Sequence, residues 1–124
     1  DKFFKGLYET ALKPGEIITS VSFPIPKRAA YTKFKNQASR FAIVGVFVAD
    51  TGAGVRVAVT GAKSFVFRCK PLEDALAKSF TPAAAKAVKV GTEGINGDLH
   101  GTPAYRAAMI SVMASRAVAA ALAR

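Results

Sequence analysis

The periodicity of the apolar residues changes half-way along the chain, and this change constrains the fold more than any other feature. Before residue 61, apolar residues alternate with polar ones or form short β-branched runs, which is typical of strands. After Pro71 the chain is rich in alanine, the best helix former, and apolar residues recur at helical spacing. The sequence therefore predicts an α+β fold, with an antiparallel sheet of about three or four strands packed on one face by about three helices.

Four segments have the composition of strands: residues 16–23, 30–37, 44–49 and 55–60. Pro24 and Pro26 end the first, and the glycine-rich residues 50–54 between the last two predict a hairpin turn. Gly52 and Gly54 do not indicate a dinucleotide-binding loop, because that motif needs a strand-to-helix turn and a third glycine. A strand follows them here, so we expect an antiparallel pair.

Alternation along a strand assigns side chains to the two faces of the predicted sheet. In the first segment Ile18 points away from the larger apolar residues, which are Ile17, Val21 and Phe23. In the second, Phe34 points away from a polar face that contains Tyr31, Lys33 and Lys35. Ile18 and Lys35 are therefore predicted on faces that the core of this domain does not use.

Three helices are predicted over residues 72–78, 82–89 and 102–123. Thr102 offers a capping hydroxyl at the start of the last helix, and Pro103 suits the first turn. Four apolar residues of this helix fall at helical spacing and are expected to pack in the core: Tyr105, Met109, Val112 and Met113.

The polar residues do not form a catalytic or metal-binding constellation. His100 is the only histidine and Cys69 the only cysteine, whereas a hydrolase triad or a zinc site needs several matched groups. We therefore expect no catalytic residue and no metal ligand. Cys69, between Arg68 and Lys70, is expected to be an exposed or half-buried bystander, with a lowered pKa as the alternative.

The loop before the last helix and the arginines on that helix are expected to have structural or surface roles. Asp98 is predicted to satisfy backbone amides near the helix start, and His100 to cap or bridge the same loop. Arg106 and Arg116 fall near one side of the helix, as solvated charges or as contacts to another domain.

The formal net charge of +10 raises the possibility of an acidic partner. A stand-alone basic module that binds nucleic acid or an acidic protein is the alternative hypothesis, through Lys27, Arg28, Lys33 and Lys35. The basic residues are spread along the chain, however, and the aromatic motif of an RNA-binding sheet is absent, so we expect no nucleic-acid partner. A structural oligomerisation domain, packed through the alanine-rich last helix, is a third hypothesis.

The number of cysteines and the hydropathy of the chain bear on its cellular location. One cysteine allows no internal disulfide, and no charge-free apolar run reaches the length of a membrane span. We expect a cytoplasmic protein without a membrane span. Because the chain starts at Asp1 rather than at methionine, we also expect it to be a fragment of a longer polypeptide.

Three motifs in order, residues 10–18, 34–45 and 95–106, resemble the C-terminal domain of the flavoprotein (medium) subunit of molybdenum hydroxylases. The relatives are of the carbon monoxide dehydrogenase and aerobic xanthine dehydrogenase type. The resemblance implies that residues 1–10 are the tail of a preceding FAD-binding domain and that residues 11–124 form the C-terminal domain.

The same resemblance implies a cofactor and partners for the parent protein, an FAD-dependent oxidoreductase. FAD is held mainly by upstream domains and receives electrons from a small iron–sulfur subunit, which takes them from a large subunit with a molybdenum cofactor. This chain is then expected to complete the FAD site and to dock partner subunits, without turnover of its own.

Two residues are implied to lie at the flavin. Ile18 matches an aliphatic residue against the flavin ring, and Lys35 matches a basic residue near it, where an ammonium would stabilise negative charge on the reduced ring. Asn36 competes with Lys35 for the second position, and an ordinary exposed strand lysine is the alternative interpretation of Lys35.

Overall fold

The computed structural model describes residues 2–123, in which six strands precede three helices. The strands are β1 (Phe4–Gly6), β2 (Glu9–Thr10), β3 (Arg28–Lys35), β4 (Ala42–Asp50), β5 (Val55–Thr60) and β6 (Phe67–Arg68). The helices are α1 (Lys70–Lys78), α2 (Pro82–Ala87) and α3 (Pro103–Leu122). Within the described part of the chain, no helix combines the length and apolar character needed to cross a membrane.

The main sheet is antiparallel, with the strand order β3-β4-β5-β6, while β1 and β2 form a separate two-stranded sheet. One face of the main sheet is lined by valines that are completely buried: Val44, Val46, Val48, Val57 and Val59. β-Branched residues pack well on a pleated surface, so these strands form the base of the core. The predicted α+β class and sheet are confirmed.

The helices cover this valine face. Leu72 and Leu76 of α1 and Ile110 and Met113 of α3 are almost fully buried in the same cluster. Alanines on the inner side of α3 let the helix lie close to the sheet, because they add little bulk. Met113 lies in the core and Met109 and Val112 pack against it as predicted, whereas Tyr105 remains 43% exposed.

Local chemistry explains where the elements begin and turn. The Thr102 hydroxyl accepts a hydrogen bond from the Tyr105 N–H at 3.2 Å, as predicted for an N-cap. Between β4 and β5, the Asp50 carboxylate accepts from the Gly52 N–H at 3.0 Å, and Gly52 has φ +79°. The predicted hairpin is confirmed.

The strand predicted over residues 16–23 is wrong. This segment has no regular secondary structure, and its apolar side chains are exposed, among them Ile17 at 80% and Phe23 at 83%. A strand needs a neighbouring backbone for its hydrogen bonds, and the segment has no ladder with another strand among residues 2–123. The alternating pattern is present, but the pairing is not.

The prediction for Cys69 is also wrong, because this residue is only 3% exposed. Burial raises the pKa of its thiol, although the Leu72 N–H acts in the opposite direction. The adjacent Glu73 carboxylate is buried too, and it accepts from the Val57 N–H at 3.0 Å and pairs with Arg68 and Lys70. These contacts join the start of α1 to the sheet.

Candidate functional site

The second face of the main sheet, here named the open face, carries aromatic, basic and small residues. Strand register places Tyr31, Phe47 and Ala58 in one row across β3, β4 and β5. The next row contains Lys33, Gly45 and Thr60. Tyr31 is 47% exposed and Phe47 is 40% exposed, whereas the valines on the opposite face are fully buried. The predicted separation of Tyr31 and Lys33 from Phe34 is confirmed.

Gly45 lies beneath a polar contact that crosses β4. The hydroxyls of Tyr31 and Thr60 are 3.2 Å apart and share a hydrogen bond. A Cβ atom at position 45 would lie 2.2 Å from the Tyr31 hydroxyl and 2.5 Å from the Thr60 hydroxyl. The contact therefore depends on glycine, because any side chain on this face would push the two hydroxyls apart.

A pocket of about 720 Å³ lies beside this contact, and we call it the Tyr31 pocket. Its lining is Tyr8, Tyr31, Lys33, Phe41, Ala42, Thr60, Gly61, Lys63, Ser64, Phe65 and Val66. Four members are aromatic and two carry ammonium groups, and no carboxylate belongs to the lining. Such a surface suits a planar aromatic ligand that bears negative charge.

One wall of the pocket comes from the compact loop between β3 and β4. The Asn36 side-chain oxygen accepts from the N–H groups of Ala38 and Ser39 at 2.9 and 3.1 Å. Arg40 adopts a left-handed conformation with φ +64°, and its carbonyl accepts from the Lys33 ammonium at 3.1 Å. Phe41 follows directly and is 79% exposed at the pocket. The loop therefore presents an aromatic ring beside a lysine.

The two residues predicted to contact flavin lie outside the lining of this pocket. Ile18 is 54% exposed on the extended segment that replaces the predicted first strand. Lys35 is exposed at the end of β3, where it pairs with Ala42 after a break in register. Their flavin contacts stay predictions. Asn36, the competitor of Lys35, uses its side-chain oxygen within the loop.

Arg106 lies behind the pocket and is not solvated, so that part of the prediction is wrong. It is 4% exposed, and its guanidinium pairs with Asp98 at 2.7 Å, whereas Arg116 is exposed. The Asp98 carboxylate also accepts from the His100 N–H at 2.8 Å. The Arg106 guanidinium, followed by this N–H, lowers the pKa of Asp98. Asp98 accepts a hydrogen bond from a backbone amide as predicted, although that amide belongs to the loop and Thr102 caps the helix. The capping or bridging role of His100 stays a prediction.

The contacts of the described residues also bear on two other kinds of site, a metal centre and the basic cluster considered as a nucleic-acid or protein contact. Within residues 2–123, histidine, cysteine and acidic side chains do not assemble in groups of three that could hold a metal ion. In the predicted basic cluster, Arg28 pairs with Asp50 at 3.2 Å and lies over the Phe80 ring at 5.1 Å. That cluster is therefore partly occupied by contacts within the chain.

Sequence reasoning missed Lys63 and Phe65, which reach the Tyr31 pocket from the loop after β5. No periodicity marks these residues. A signal was available elsewhere, however, because Gly45 interrupts an otherwise apolar strand, and glycine inside a strand often marks a close approach. The strand register, which pairs Gly45 with Lys33 and Thr60, places this glycine on the open face.

Comparison with known proteins shows a relative that matches this chain over its whole length. The medium subunit of nicotine 6-hydroxylase from Paenarthrobacter nicotinovorans is 31% identical over 134 aligned positions, which include the whole chain and 47% of that subunit. The matched region is the C-terminal part. The chain is a homologue of the C-terminal part of molybdenum hydroxylase medium subunits. It spans about half the length of the curated relative. No family model matches the chain.

Solved structures agree with this relationship. A chain of CO dehydrogenase from Oligotropha carboxidovorans has a TM-score of 0.76 and 25% identity, with 99% of the present chain and 47% of that chain covered. Quinoline 2-oxidoreductase from Pseudomonas putida 86 has a TM-score of 0.73 at 23% identity, with coverage of 97% and 46%. The latter shares the fold. The resemblance found in the sequence is confirmed.

Proposed function

We propose that this chain is the C-terminal domain of the flavoprotein subunit of a molybdenum hydroxylase, and that its open face completes an FAD site built mainly by preceding residues. The observation that carries this proposal is the Tyr31 pocket, with its aromatic rings and two ammonium groups. Homology to medium subunits supports the same assignment. The parent protein is then an oxidoreductase, and this chain contributes binding and electrostatics rather than catalytic groups.

The side chains of the pocket suit an isoalloxazine in charge and aromatic character. When bound, FAD would supply electron transfer from the iron–sulfur partner to an acceptor. Tyr31, Phe41 and Phe65 offer aromatic surface that can orient a planar ring and exclude water. Lys33 and Lys63 bring positive charge to the lining, where the Lys33 ammonium donates to the Arg40 carbonyl and the Lys63 ammonium lies over the Phe67 ring at 4.8 Å. Fixed cations stabilise negative charge that develops on a reduced cofactor.

Several finer assignments belong to the same proposal. Ile18 and Lys35 contact the flavin, and residues 1–10 form the end of the FAD-binding domain. Partners are the preceding domain, the large subunit with molybdopterin and the small iron–sulfur subunit. The cytoplasmic location expected from the sequence remains part of this proposal.

The decisive experiment uses the complete medium subunit and compares two pairs of substitutions. The double variant Lys33→Ala/Lys63→Ala removes both ammonium groups of the pocket. Lys86→Ala/Lys89→Ala is the matched control, because it removes the same charge from exposed positions in α2 and just after it. We expect the first pair to weaken FAD retention and to lower the flavin midpoint potential by on the order of tens of millivolts. Equal effects of the two pairs would exclude this pocket as the FAD site.

Single variants test the two residues assigned by resemblance. Lys35→Ala is expected to lower the flavin midpoint potential in the complete subunit, since it removes a cation near the ring. Ile18→Ala is expected to weaken FAD retention without this electrostatic change. Unaltered flavin content and potential would remove the corresponding residue from the site.

A further inference from the structure

Arg106 forms an unusual set of contacts for a buried cation. Its guanidinium donates to the Ile43 carbonyl at 2.7 Å, the Gly61 carbonyl at 3.1 Å and the Gly101 carbonyl at 3.3 Å. It also donates to the Asp98 carboxylate at 2.7 Å. One side chain of α3 therefore joins the start of β4, the end of β5 and the loop before its own helix.

Two of these acceptors lie where a sheet ladder is interrupted or ends. Register between β3 and β4 shifts so that Phe34 pairs with Val44 and Lys35 pairs with Ala42, which leaves Ile43 without a place in the ladder. The pairing of β4 with β5 ends at Gly45 and Thr60, one residue before Gly61. Arg106 therefore supplies donors to carbonyls that strand pairing does not serve.

The same two strand ends form a wall of the Tyr31 pocket. Phe41 and Ala42 precede Ile43, and all of Phe41, Ala42, Thr60 and Gly61 belong to the pocket lining. The backbones are close here, because a Cβ atom on Gly61 would lie 2.2 Å from the Ala42 carbonyl oxygen. Gly61 also has φ +78°, which glycine adopts easily. Arg106 contacts this wall from behind.

We propose that Arg106 is a positioning residue for the Tyr31 pocket: it fixes the wall formed by Phe41, Ala42, Thr60 and Gly61 without touching the ligand. This inference rests on the proposed FAD site. The planar guanidinium can donate in several fixed directions at once, whereas a lysine ammonium cannot reach all four acceptors. Charge alone is therefore insufficient for the role. Asp98, whose side chain is 48% exposed, holds one edge of the guanidinium and assists indirectly.

The first test measures amide hydrogen exchange in the 124-residue chain. Arg106→Lys keeps the charge but loses the fork geometry, and Asp98→Asn is a milder variant that leaves the three carbonyl contacts in place. Arg116→Lys is the matched control, because Arg116 is exposed on the same helix. We expect the amide exchange rates of residues 41–45 to rise about fivefold in Arg106→Lys, because the loss of one net hydrogen bond makes local opening easier by about that factor. The exchange rates within β5 should change little.

The second test records the visible circular dichroism of bound flavin in the complete medium subunit. We expect a changed flavin signal in Arg106→Lys, a smaller change in Asp98→Asn and none in Arg116→Lys. Uniformly faster exchange across the chain, or an unchanged flavin signal together with unchanged exchange in residues 41–45, would overturn it. If Arg106→Lys does not fold, Asp98→Asn decides by the same two readouts.

The lysine and arginine variants together separate a missing positioning role of Arg106 from a pocket that does not bind FAD. If Lys33→Ala/Lys63→Ala alters the flavin but Arg106→Lys does not, the pocket stands and the positioning role is refuted. If neither changes the flavin, the pocket is not the FAD site and a positioning role toward FAD is refuted with it. In that case, local exchange still reports whether Arg106 holds the two strand ends together.

Discussion

Gly45→Ala is expected to destabilise the chain because of the two hydroxyls above it. The added methyl group would lie 2.2 Å from the Tyr31 hydroxyl and 2.5 Å from the Thr60 hydroxyl, whereas ordinary contacts begin near 3.4 Å. The Tyr31 hydroxyl must therefore move by roughly 1 Å, which breaks its hydrogen bond to Thr60. Because Tyr31 is 47% exposed and its ring can swing outward, we expect a loss of about 1–2 kcal/mol in the free energy of unfolding.

The sign of this effect should reverse when the two neighbours are truncated. In the background Tyr31→Ala/Thr60→Ala the space above Gly45 is open, and alanine is favoured over glycine within a strand by about 0.5–1 kcal/mol. Gly45→Ala should therefore stabilise that background by this amount. Urea unfolding followed by far-ultraviolet circular dichroism measures all four proteins. A loss of similar size in both backgrounds would refute the steric explanation and assign the cost to the backbone.

The remaining predictions concern the core and the first segment. Burial alone would raise the pKa of Glu73, but hydrogen bonds from Arg68, Val57 N–H and Lys70 keep it below its usual value of 4.5. The ionised Glu73 carboxylate therefore contributes fully to the stability of the fold above pH 4.5, and this contribution is lost as the pH falls through the folded-state pKa. Glu73→Gln should lower the free energy of unfolding by about 3 kcal/mol at neutral pH and by progressively less in acid. A stability difference between the variant and the original chain that does not change with pH in urea unfolding would contradict this. Cys69 should resist a thiol reagent at pH 8 in the native state and react when the chain unfolds, and a fast reaction in native buffer would show that it is accessible. Leu76→Ala should cost about 2–5 kcal/mol in thermal or urea unfolding, since this side chain is 1% exposed, whereas a loss below 1 kcal/mol would contradict its place in the core. Removal of residues 1–26 should change the stability by less than about 1 kcal/mol, because every residue of the core cluster follows position 42; failure of the shortened chain to fold would show that the first segment belongs to the domain.

The sequence predicted those elements that are determined by local pattern. β5 begins and ends as predicted, the hairpin turn follows from glycine and aspartate chemistry, and α3 begins after a threonine cap. These features depend on residues close to one another in the chain. Helix and hairpin signals of this kind are sufficient to indicate the α+β class.

What the sequence could not predict depends on distant partners. Residues 16–23 alternate like a strand, but no pattern states whether another strand lies beside them. In the sequence, Arg106 has the pattern of a surface charge. Its carbonyl acceptors are backbone groups, which every residue type has, so no sequence motif marks them. The pocket itself requires the register that brings Tyr31 and Thr60 together across Gly45, and register between strands is a tertiary property.

The visible absorption spectrum of the complete medium subunit that contains this chain tests the central proposal most directly, with the 124-residue chain measured beside it. We expect oxidised-flavin bands in the complete subunit and none in the chain alone, because this domain completes an FAD site that lies mainly elsewhere. Absence of flavin from the complete subunit, even after incubation with FAD, would contradict the proposal. Salt-sensitive binding to mixed oligonucleotides would then favour the basic interaction module.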